Sequence, residues 1–155
     1  LVQHMNKNVI ASFAQQLDSS CKINVVEAAD GMIAKAGYCY IGKGGCQMVL
    51  RENKDGQVII TTPPVPEHLY MPSVSVLFDS ASDVYKENLI SVIMTGMGDD
   101  GADMIPKVKD NGGVTIAESE ESAIVFGMPK RAIQSGAIDH VYPSWEIPNK
   151  LMNLL

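Results

Sequence analysis

The chain has 155 residues, 46 % apolar and 19 % charged, a composition that is typical of one globular domain and excludes a disordered protein. The formal net charge is −6 and Lys and Arg are not clustered, which disfavours nucleic acid and anionic membranes as partners. No apolar run approaches the roughly 20 residues that cross a bilayer. The three cysteines lack C-x-x-C spacing, so we expect free thiols in a reducing compartment.

The first half of the chain predicts a strand end, a helix and several short strands. Residues 1–5 have the pattern of the tail of a buried strand that ends at His4, and residues 8–19 have helical spacing. The predicted strands cover residues 23–26, 38–41, 47–50 and 58–61. The last three of these strands are joined by glycine-containing turns at 42–45 and 55–56, and we expect them to pair antiparallel.

The second half of the chain alternates strands with helices. Residues 62–66 contain three prolines and predict an extended surface connection. Pro72 and Ser73 then open a helix that runs to about Lys86. Further strands are predicted at residues 89–94, 114–117 and 138–142, and further helices from residue 103, at 127–134 and at 148–155. This alternation predicts an α/β protein with a parallel sheet and helices on both faces.

The most informative segment is the glycine-rich loop at residues 94–101, directly after a predicted strand. Its three glycines match the dinucleotide-binding pattern G-x-G-x-x-G, and Glu118 and Glu120 lie near the place of a ribose-binding acid. However, Asp99 and Asp100 would be neighbours of the pyrophosphate, and like charges in a partly dry loop repel by on the order of several kcal/mol. The charge of the loop therefore disfavours a nucleotide.

His4 and Asp100 are predicted to lie at one edge of the sheet. Each follows an apolar strand and precedes a helix, and the carboxyl ends of parallel strands meet at the same edge. A histidine with a carboxylate on one ring nitrogen is a general base of defined tautomer. In a simpler interpretation, His4 is a polar residue near a chain end and Asp100 caps a helix. A metal site that uses His4, Asp99 and Asp100 is disfavoured by the ligand spacing, and we expect no metal and no cofactor.

Four blocks of sequence resemble the catalytic domain of the CheB-type protein-glutamate methylesterases of bacterial chemotaxis. In one-letter code they are VQHM at residues 2–5, PSVSVLF at 72–78, MTGMGDDGA at 94–102 and VFGMPKRAIQSGAID at 125–139. They occur in the order of the family and cover nearly the whole chain. The resemblance implies a doubly wound, mostly parallel α/β sheet with helices on both faces and an inserted antiparallel hairpin.

The resemblance also implies an activity. Members of the family hydrolyse γ-glutamyl methyl esters on the cytoplasmic helices of chemoreceptors, release methanol, and deamidate particular glutamines. They use a Ser-His-Asp triad, whose histidine matches His4 and whose aspartate matches Asp100.

The glycine-rich loop is expected to border the substrate. Met97 matches a residue that lines the active site of the family, and backbone amides near the serine are expected to stabilise the tetrahedral oxyanion. The loop residues Thr95, Gly96 and Gly98 belong to this substrate and oxyanion region. Thr95 is a weaker candidate for the nucleophile, because a structural role at the strand end accounts for it.

The chain departs from the family pattern at several positions. The family's serine lies in a Gly-x-Ser-x-Gly-Gly turn upstream of Gln3. We therefore expect residues 1–155 to be a single methylesterase-like domain without its first strand and nucleophile turn, inactive alone and prone to self-association. Ser75 stands in place of a usual aspartate, residues 42–44 in place of Ala-Pro-Gly, and Gln47 in place of a usual histidine. These positions lie near the cleft in the family, so they bear on substrate contacts.

The implied partners are methylated chemoreceptor helices and, in the full-length protein, a regulatory receiver domain, both in the cytoplasm. Neither nucleic acid nor membrane insertion is expected. Two alternatives remain open, a non-catalytic binding or regulatory module of the same fold and a dinucleotide-binding domain. His68 and His140 are interpreted as exposed loop and strand-end residues.

Overall fold

The structure is a computed structural model that describes residues 1–63 and 69–154. The chain divides into two compact units, Leu1–Val84 and Tyr85–Leu155, which are described in turn. Within the described ranges, no helix combines the length and the apolar content that crossing a bilayer requires. The predictions for residues 64–66 and for His68 lie outside the described residues.

The first unit contains two small sheets. Strand β1 pairs in parallel with β3, and β2, β5 and β4 form an antiparallel sheet in that order. Helix α1 precedes the strands and α2 follows them, ending where the second unit begins. The bounds are α1 (Ile10–Ser20), β1 (Asn24–Glu27), β2 (Met32–Ile33), β3 (Tyr38–Ile41), β4 (Val49–Glu52), β5 (Val58–Thr61) and α2 (Val74–Tyr85).

Helix α1 covers the parallel pair with one apolar face. Ile10 and Ala14, four residues apart, are buried against Val25 of β1 and Ile41 of β3. Each large aliphatic side chain buried in this way contributes about 1.5–3 kcal/mol. The predicted helix at residues 8–19 is therefore confirmed, and its spacing identifies the face that packs.

The antiparallel hairpin of β4 and β5 is also confirmed. Val49 lies opposite Thr61 and Glu52 opposite Val58. The turn between them is closed by the Asn53 side chain, whose Oδ1 accepts hydrogen bonds from the amides of residues 55 and 57. Gly56, with φ +73°, adopts the left-handed backbone that this turn needs.

The predicted pairing of β3 is wrong. This strand was expected to pair antiparallel with the strands that follow it, but it lies parallel to β1, with Asn24 opposite Tyr38. The glycine-rich turn at residues 42–45 therefore joins two different sheets and is not a hairpin turn.

The predicted buried strand at residues 1–5 is also wrong. Leu1 is half exposed, and it is the residue of this segment whose backbone groups pair with β3 and the residue that follows it. The Leu1 nitrogen donates to the Tyr40 carbonyl oxygen (2.7 Å), and the Gly42 amide donates to the Leu1 carbonyl oxygen (2.8 Å). One residue paired in this parallel manner is too little to form a strand.

The second unit is built on a parallel sheet. Its strands lie in the order β6-β7-β8, and all of them run in parallel. Two short 3-10 turns, at Lys86–Asn88 and Ala102–Met104, precede β6 and α3. The bounds are β6 (Ile90–Ile93), α3 (Ile105–Asp110), β7 (Val114–Glu118), α4 (Met128–Gln134), β8 (His140–Tyr142) and α5 (Ile147–Met152). The predicted α/β class, with parallel strands and an antiparallel hairpin, is confirmed.

Strand β7 is the central strand, and four of its five residues are buried. Two of the buried side chains, Thr115 and Glu118, are polar, so they need hydrogen-bond partners inside the protein. Each finds them outside β7, and one partner of Glu118, the Thr95 amide, belongs to the glycine-rich loop described below.

Asp139 joins the start of β8 to β7 and α3. Its carboxylate accepts hydrogen bonds from the Thr115 amide (3.0 Å), the Thr115 hydroxyl (3.1 Å) and the Lys109 ammonium group. Partial burial alone would raise the pKa of Asp139, but the hydrogen bonds from Lys109 and Thr115 outweigh it and hold that pKa below its ordinary value. The ionised carboxylate is therefore part of the fold.

Candidate active site

The loop at residues 94–101 leaves the carboxyl end of β6 and carries all of the predicted site residues except His4. Gly98 (φ +93°) and Gly101 (φ +89°) have left-handed backbone conformations, which favour glycine because it has no Cβ. The turn Ala102–Met104 follows at once. The residue at its N-cap position is Gly101, which directly follows Asp100.

This loop is interlocked with the segment that leads into α4. The Gly96 amide donates to the Val125 carbonyl oxygen (3.1 Å), and the Met128 amide donates to the Gly96 carbonyl oxygen (2.8 Å). A Cβ at Gly127 would lie 2.6 Å from the Gly96 carbonyl oxygen, and one at Gly96 would lie 2.4 Å from the Met128 sulfur. Gly127 is therefore required where the two backbones meet, whereas a Cβ at Gly96 would displace the Met128 side chain.

Glu118 anchors the beginning of the loop from the end of β7. It is buried, and its two carboxylate oxygens accept hydrogen bonds from the Thr95 amide (2.7 Å) and the Ser122 hydroxyl (2.7 Å). The Thr95 hydroxyl in turn accepts a hydrogen bond from the Val125 amide (2.9 Å). Glu118 thus holds the loop, which counts against a ribose-binding role. The hydrogen bond of the Thr95 hydroxyl to Val125 agrees with a structural role of Thr95 at the end of the strand.

The outer part of the loop places a carboxylate inside and an apolar side chain outside. Asp100 is only 4 % exposed, whereas Met97 is 82 % exposed. A sheltered carboxylate interacts more strongly with a nearby cation than one in water does. An exposed methionine offers a flexible, polarisable contact surface of the kind found at binding sites.

His4 lies in the first unit, on the exposed stretch before α1. Its imidazole ring stacks on the ring of Tyr70, with the ring centroids 4.6 Å apart and the planes at 13°. A stacked ring has fewer orientations than one in open solvent, so Tyr70 restricts the direction in which the two nitrogens of His4 point. The sequence does not indicate a role for Tyr70, because two aromatic residues 66 positions apart carry no local signal of contact.

Gln47 supports the segment that carries Tyr70. Its side chain is fully buried, its Nε2 donates to the Tyr70 carbonyl oxygen (2.8 Å), and its Oε1 accepts from the Ser73 amide (2.8 Å). An amide side chain satisfies both backbone groups at once, because it is both a donor and an acceptor. The Gln47 side chain therefore acts inside the fold, where it supports the segment that carries Tyr70.

Close packing also explains Gly42 and Gly44. A Cβ at Gly44 would lie 2.5 Å from the Lys7 Cα, and one at Gly42 would lie 3.0 Å from a ring carbon of Pro72. The turn therefore lets the chain before α1 and the start of α2 approach β3 closely.

The predicted site residues divide between the two units. Thr95, Gly96, Met97, Gly98 and Asp100 share one loop of the second unit, and His4 belongs to the first. Among residues 1–63 and 69–154, no group of three His, Cys, Asp or Glu side chains is placed to hold a metal ion. The cysteines Cys21, Cys39 and Cys46 are free thiols, as expected.

Comparison with known proteins identifies the class. The family model of the CheB methylesterases matches residues 1–151, so this chain belongs to the CheB methylesterase family. The resemblance drawn from the four sequence blocks is confirmed by this match.

Individual relatives agree with the family match. The chain is 45 % identical over 152 residues to protein-glutamate methylesterase/protein-glutamine glutaminase 3 of Syntrophomonas wolfei, covering 98 % of this chain and 43 % of that protein. It is 42 % identical over 155 residues to the corresponding protein of Caldanaerobacter subterraneus, covering 98 % of this chain and 42 % of the relative. The chain thus spans less than half the length of these relatives.

A solved structure shows the same fold. The crystal structure of the Thermotoga maritima CheB methylesterase catalytic domain superposes on this chain with a TM-score of 0.95 at 40 % sequence identity. The match covers 99 % of this chain and 82 % of that one.

Proposed function

We propose that this chain supplies the histidine and the aspartate of a protein-glutamate methylesterase and protein-glutamine glutaminase that acts on cytoplasmic chemoreceptor helices. The observation that carries the proposal is the family match over residues 1–151, which includes His4 and the whole loop at 94–101. Relatives at 42–45 % identity bear this activity in their names. The triad serine and a regulatory receiver domain would belong to a part of the protein beyond these 155 residues.

In the proposed reaction, the serine hydroxyl attacks the carbonyl carbon of a γ-glutamyl methyl ester while His4 takes its proton. The tetrahedral intermediate collapses, and His4 returns the proton to the departing methoxide, which leaves as methanol. Water then hydrolyses the acyl-enzyme by the same proton route, giving glutamate and free serine. Attack on a glutamine side chain follows the same steps with ammonia as the leaving group.

Asp100 and Tyr70 would hold His4 for these proton transfers. A carboxylate on one ring nitrogen fixes the tautomer and stabilises the imidazolium that forms, without taking the proton itself. The low exposure of Asp100 supports this role, because a sheltered charge stabilises the imidazolium better than a hydrated one. The stacked ring of Tyr70 limits the rotation of the imidazole.

The loop would supply oxyanion donors at Met97 and Gly98. The amides of Thr95 and Gly96 already donate to Glu118 and Val125, so they are poor candidates. Within the described part of the chain, the amides of Met97 and Gly98 donate no hydrogen bond. A single oxyanion donor is worth about 3 kcal/mol of barrier, or roughly a hundredfold in rate.

The test is methanol release from methylated receptor by the full-length protein, which includes the serine turn. His4→Gln should lower the rate constant about 10⁶-fold, because the general base is lost. His140→Gln is the matched control, since His140 also stacks on a tyrosine, Tyr142, with centroids 5.6 Å apart, but lies outside the proposed site. The 155 residues alone should release no methanol.

Two results would count against the proposal. A full-length protein that binds receptor without releasing methanol or ammonia would be the non-catalytic module of the same fold. Equal losses in the His4→Gln and His140→Gln variants would mean that His4 is not the general base.

A further inference from the structure

The second unit has a cationic cavity next to the loop at residues 94–101. Its volume is about 310 Å³, and it is lined by Gly98 and Gly127 and by three polar side chains of α4, Lys130, Arg131 and Gln134. Gly98 and Gly127 belong to the two interlocked segments, and a Cβ at Gly127 would lie 3.2 Å from the Gly98 amide nitrogen. One wall of the cavity is thus the backbone of the proposed oxyanion region.

The cationic side chains of this cavity have no anionic partner in the described part of the chain. Lys130 and Arg131 form no ion pair there, whereas Lys109 pairs with Asp139 and Lys150 lies 4.0 Å from Glu146. The whole chain carries a net charge of −6, so two adjacent unpaired cations in one concavity are a local reversal of charge. Such a concavity attracts anionic groups.

The donor set of the cavity fits a carboxylate. The planar Arg131 guanidinium can present two parallel N–H donors to both oxygens, and the Lys130 ammonium adds a point charge. The Gln134 side-chain amide, one turn along α4 from Lys130, adds a neutral donor. All three side chains are exposed and therefore accessible to a partner protein.

We infer that Lys130, Arg131 and Gln134 bind an acidic side chain of the substrate protein beside the glutamyl methyl ester, so that the enzyme prefers esters flanked by a carboxylate. This inference rests on the proposed function, because it places the ester at the loop that contains Gly98. Side chains one turn apart on a substrate helix are about 5–6 Å apart, so one helix can present both groups to one side. Exposed Met97 offers that helix an apolar contact.

The experiment compares two methyl-ester peptides with the full-length enzyme, one with glutamate and one with glutamine one helical turn from the ester. The wild-type protein should have a kcat/KM about tenfold higher for the acidic peptide, mostly through KM. In Arg131→Gln the ratio of the two kcat/KM values should fall towards one, and in Arg131→Glu it should fall below one, because the introduced carboxylate repels the acidic peptide. Arg51→Gln, at an exposed arginine of β4 in the other unit, is the matched control and should keep the wild-type ratio.

The binding of the same peptides, labelled and followed by fluorescence anisotropy, separates this inference from the proposed function. Binding that favours the acidic peptide and depends on Arg131, without any hydrolysis, would sustain the carboxylate-binding site and refute the esterase. Hydrolysis with a ratio that neither Arg131 variant changes would overturn the inference and leave the esterase standing.

Discussion

Two glycine-rich turns of this chain, at residues 42–45 and 94–101, follow the strands β3 and β6, and each packs against another segment at a glycine. A Cβ at Gly44 would lie 2.5 Å from the Lys7 Cα, and a Cβ at Gly127, in the segment packed on the second turn, would lie 2.6 Å from the Gly96 carbonyl oxygen. In both places only glycine lets two stretches of backbone approach so closely. Glycine content alone therefore does not distinguish a structural turn from a functional one.

The two turns differ in the side chains that they position. The first leads to Gln47, whose amide is fully occupied by backbone groups inside the unit. The second holds Met97 in solvent. The contrast teaches that a candidate site is recognised by the side chains that a turn leaves exposed, not by the glycines themselves.

The strongest test of this contrast substitutes one glycine for each turn. Gly127→Ala and Gly44→Ala should each lower the free energy of unfolding by about 1–3 kcal/mol, because backbone must move to admit a methyl group. Gly127→Ala should also lower methanol release by the folded full-length enzyme by up to about a hundredfold, because the loop is displaced. Gly44→Ala should leave the rate per folded enzyme close to that of the wild type.

Denaturant unfolding and methanol release on the same samples measure both effects. If Gly44→Ala lowers the rate per folded enzyme as much as Gly127→Ala does, the two turns are not functionally different.

A further loss of stability is expected at Gln47. Gln47→Leu removes two hydrogen bonds inside the fold, each worth about 0.5–1.5 kcal/mol. Denaturant unfolding measures the loss, and Gln16→Leu on the exposed face of α1 is the control. A Gln47→Leu protein as stable as the wild type would show that the side chain has no structural role.

Asp139→Asn is expected to have a smaller effect on stability, and this effect depends on pH. Because its pKa is lowered in the folded state, its contribution to stability is complete above about pH 4 and is lost as the pH falls through the lowered value. Asp139→Asn should therefore reduce the melting temperature at pH 7 and flatten its fall in acid. Asp110→Asn, an exposed aspartate at the end of α3, should keep the wild-type profile. Superimposable acid profiles for the wild type and Asp139→Asn would contradict this account.

The smallest effect on stability is expected at Met97. Met97→Ala should change the free energy of unfolding by less than about 0.5 kcal/mol, because the side chain is 82 % exposed. Its effect should appear as a higher KM for receptor, measured by methanol release. A clear loss of stability would mean that Met97 packs inside the protein and does not face a partner.

The sequence predicted those parts of the fold that depend on local pattern. The helical spacing of residues 8–19, the β4–β5 hairpin and the strand–helix alternation after residue 72 each appear in the structure. The pairing of β3 did not follow from pattern, because the connection from β1 to β3 contains β2, which belongs to the other sheet. Parallel pairing of that kind depends on long-range contacts that adjacent residues do not reveal.

The candidate site was predictable to a similar degree. The loop at 94–101 was visible from its glycines and carboxylates. Three contacts around the site were not visible in the sequence and appear only in the structure. Glu118 is occupied by the Thr95 amide, Gln47 acts inside the fold, and Tyr70 stacks on His4. Each is a contact between residues more than 20 positions apart, so neither composition nor periodicity could indicate it.

The central proposal is that His4 and Asp100 act together in catalysis, and a double-mutant cycle in methanol release tests it most directly. The full-length wild type, His4→Gln, Asp100→Asn and the double variant are compared, with Asp99→Asn as the control. We predict that the double variant is no slower than His4→Gln alone, because residues of one catalytic unit lose their effect together. Losses that multiply, or an Asp99→Asn effect as large as that of Asp100→Asn, would contradict the claim.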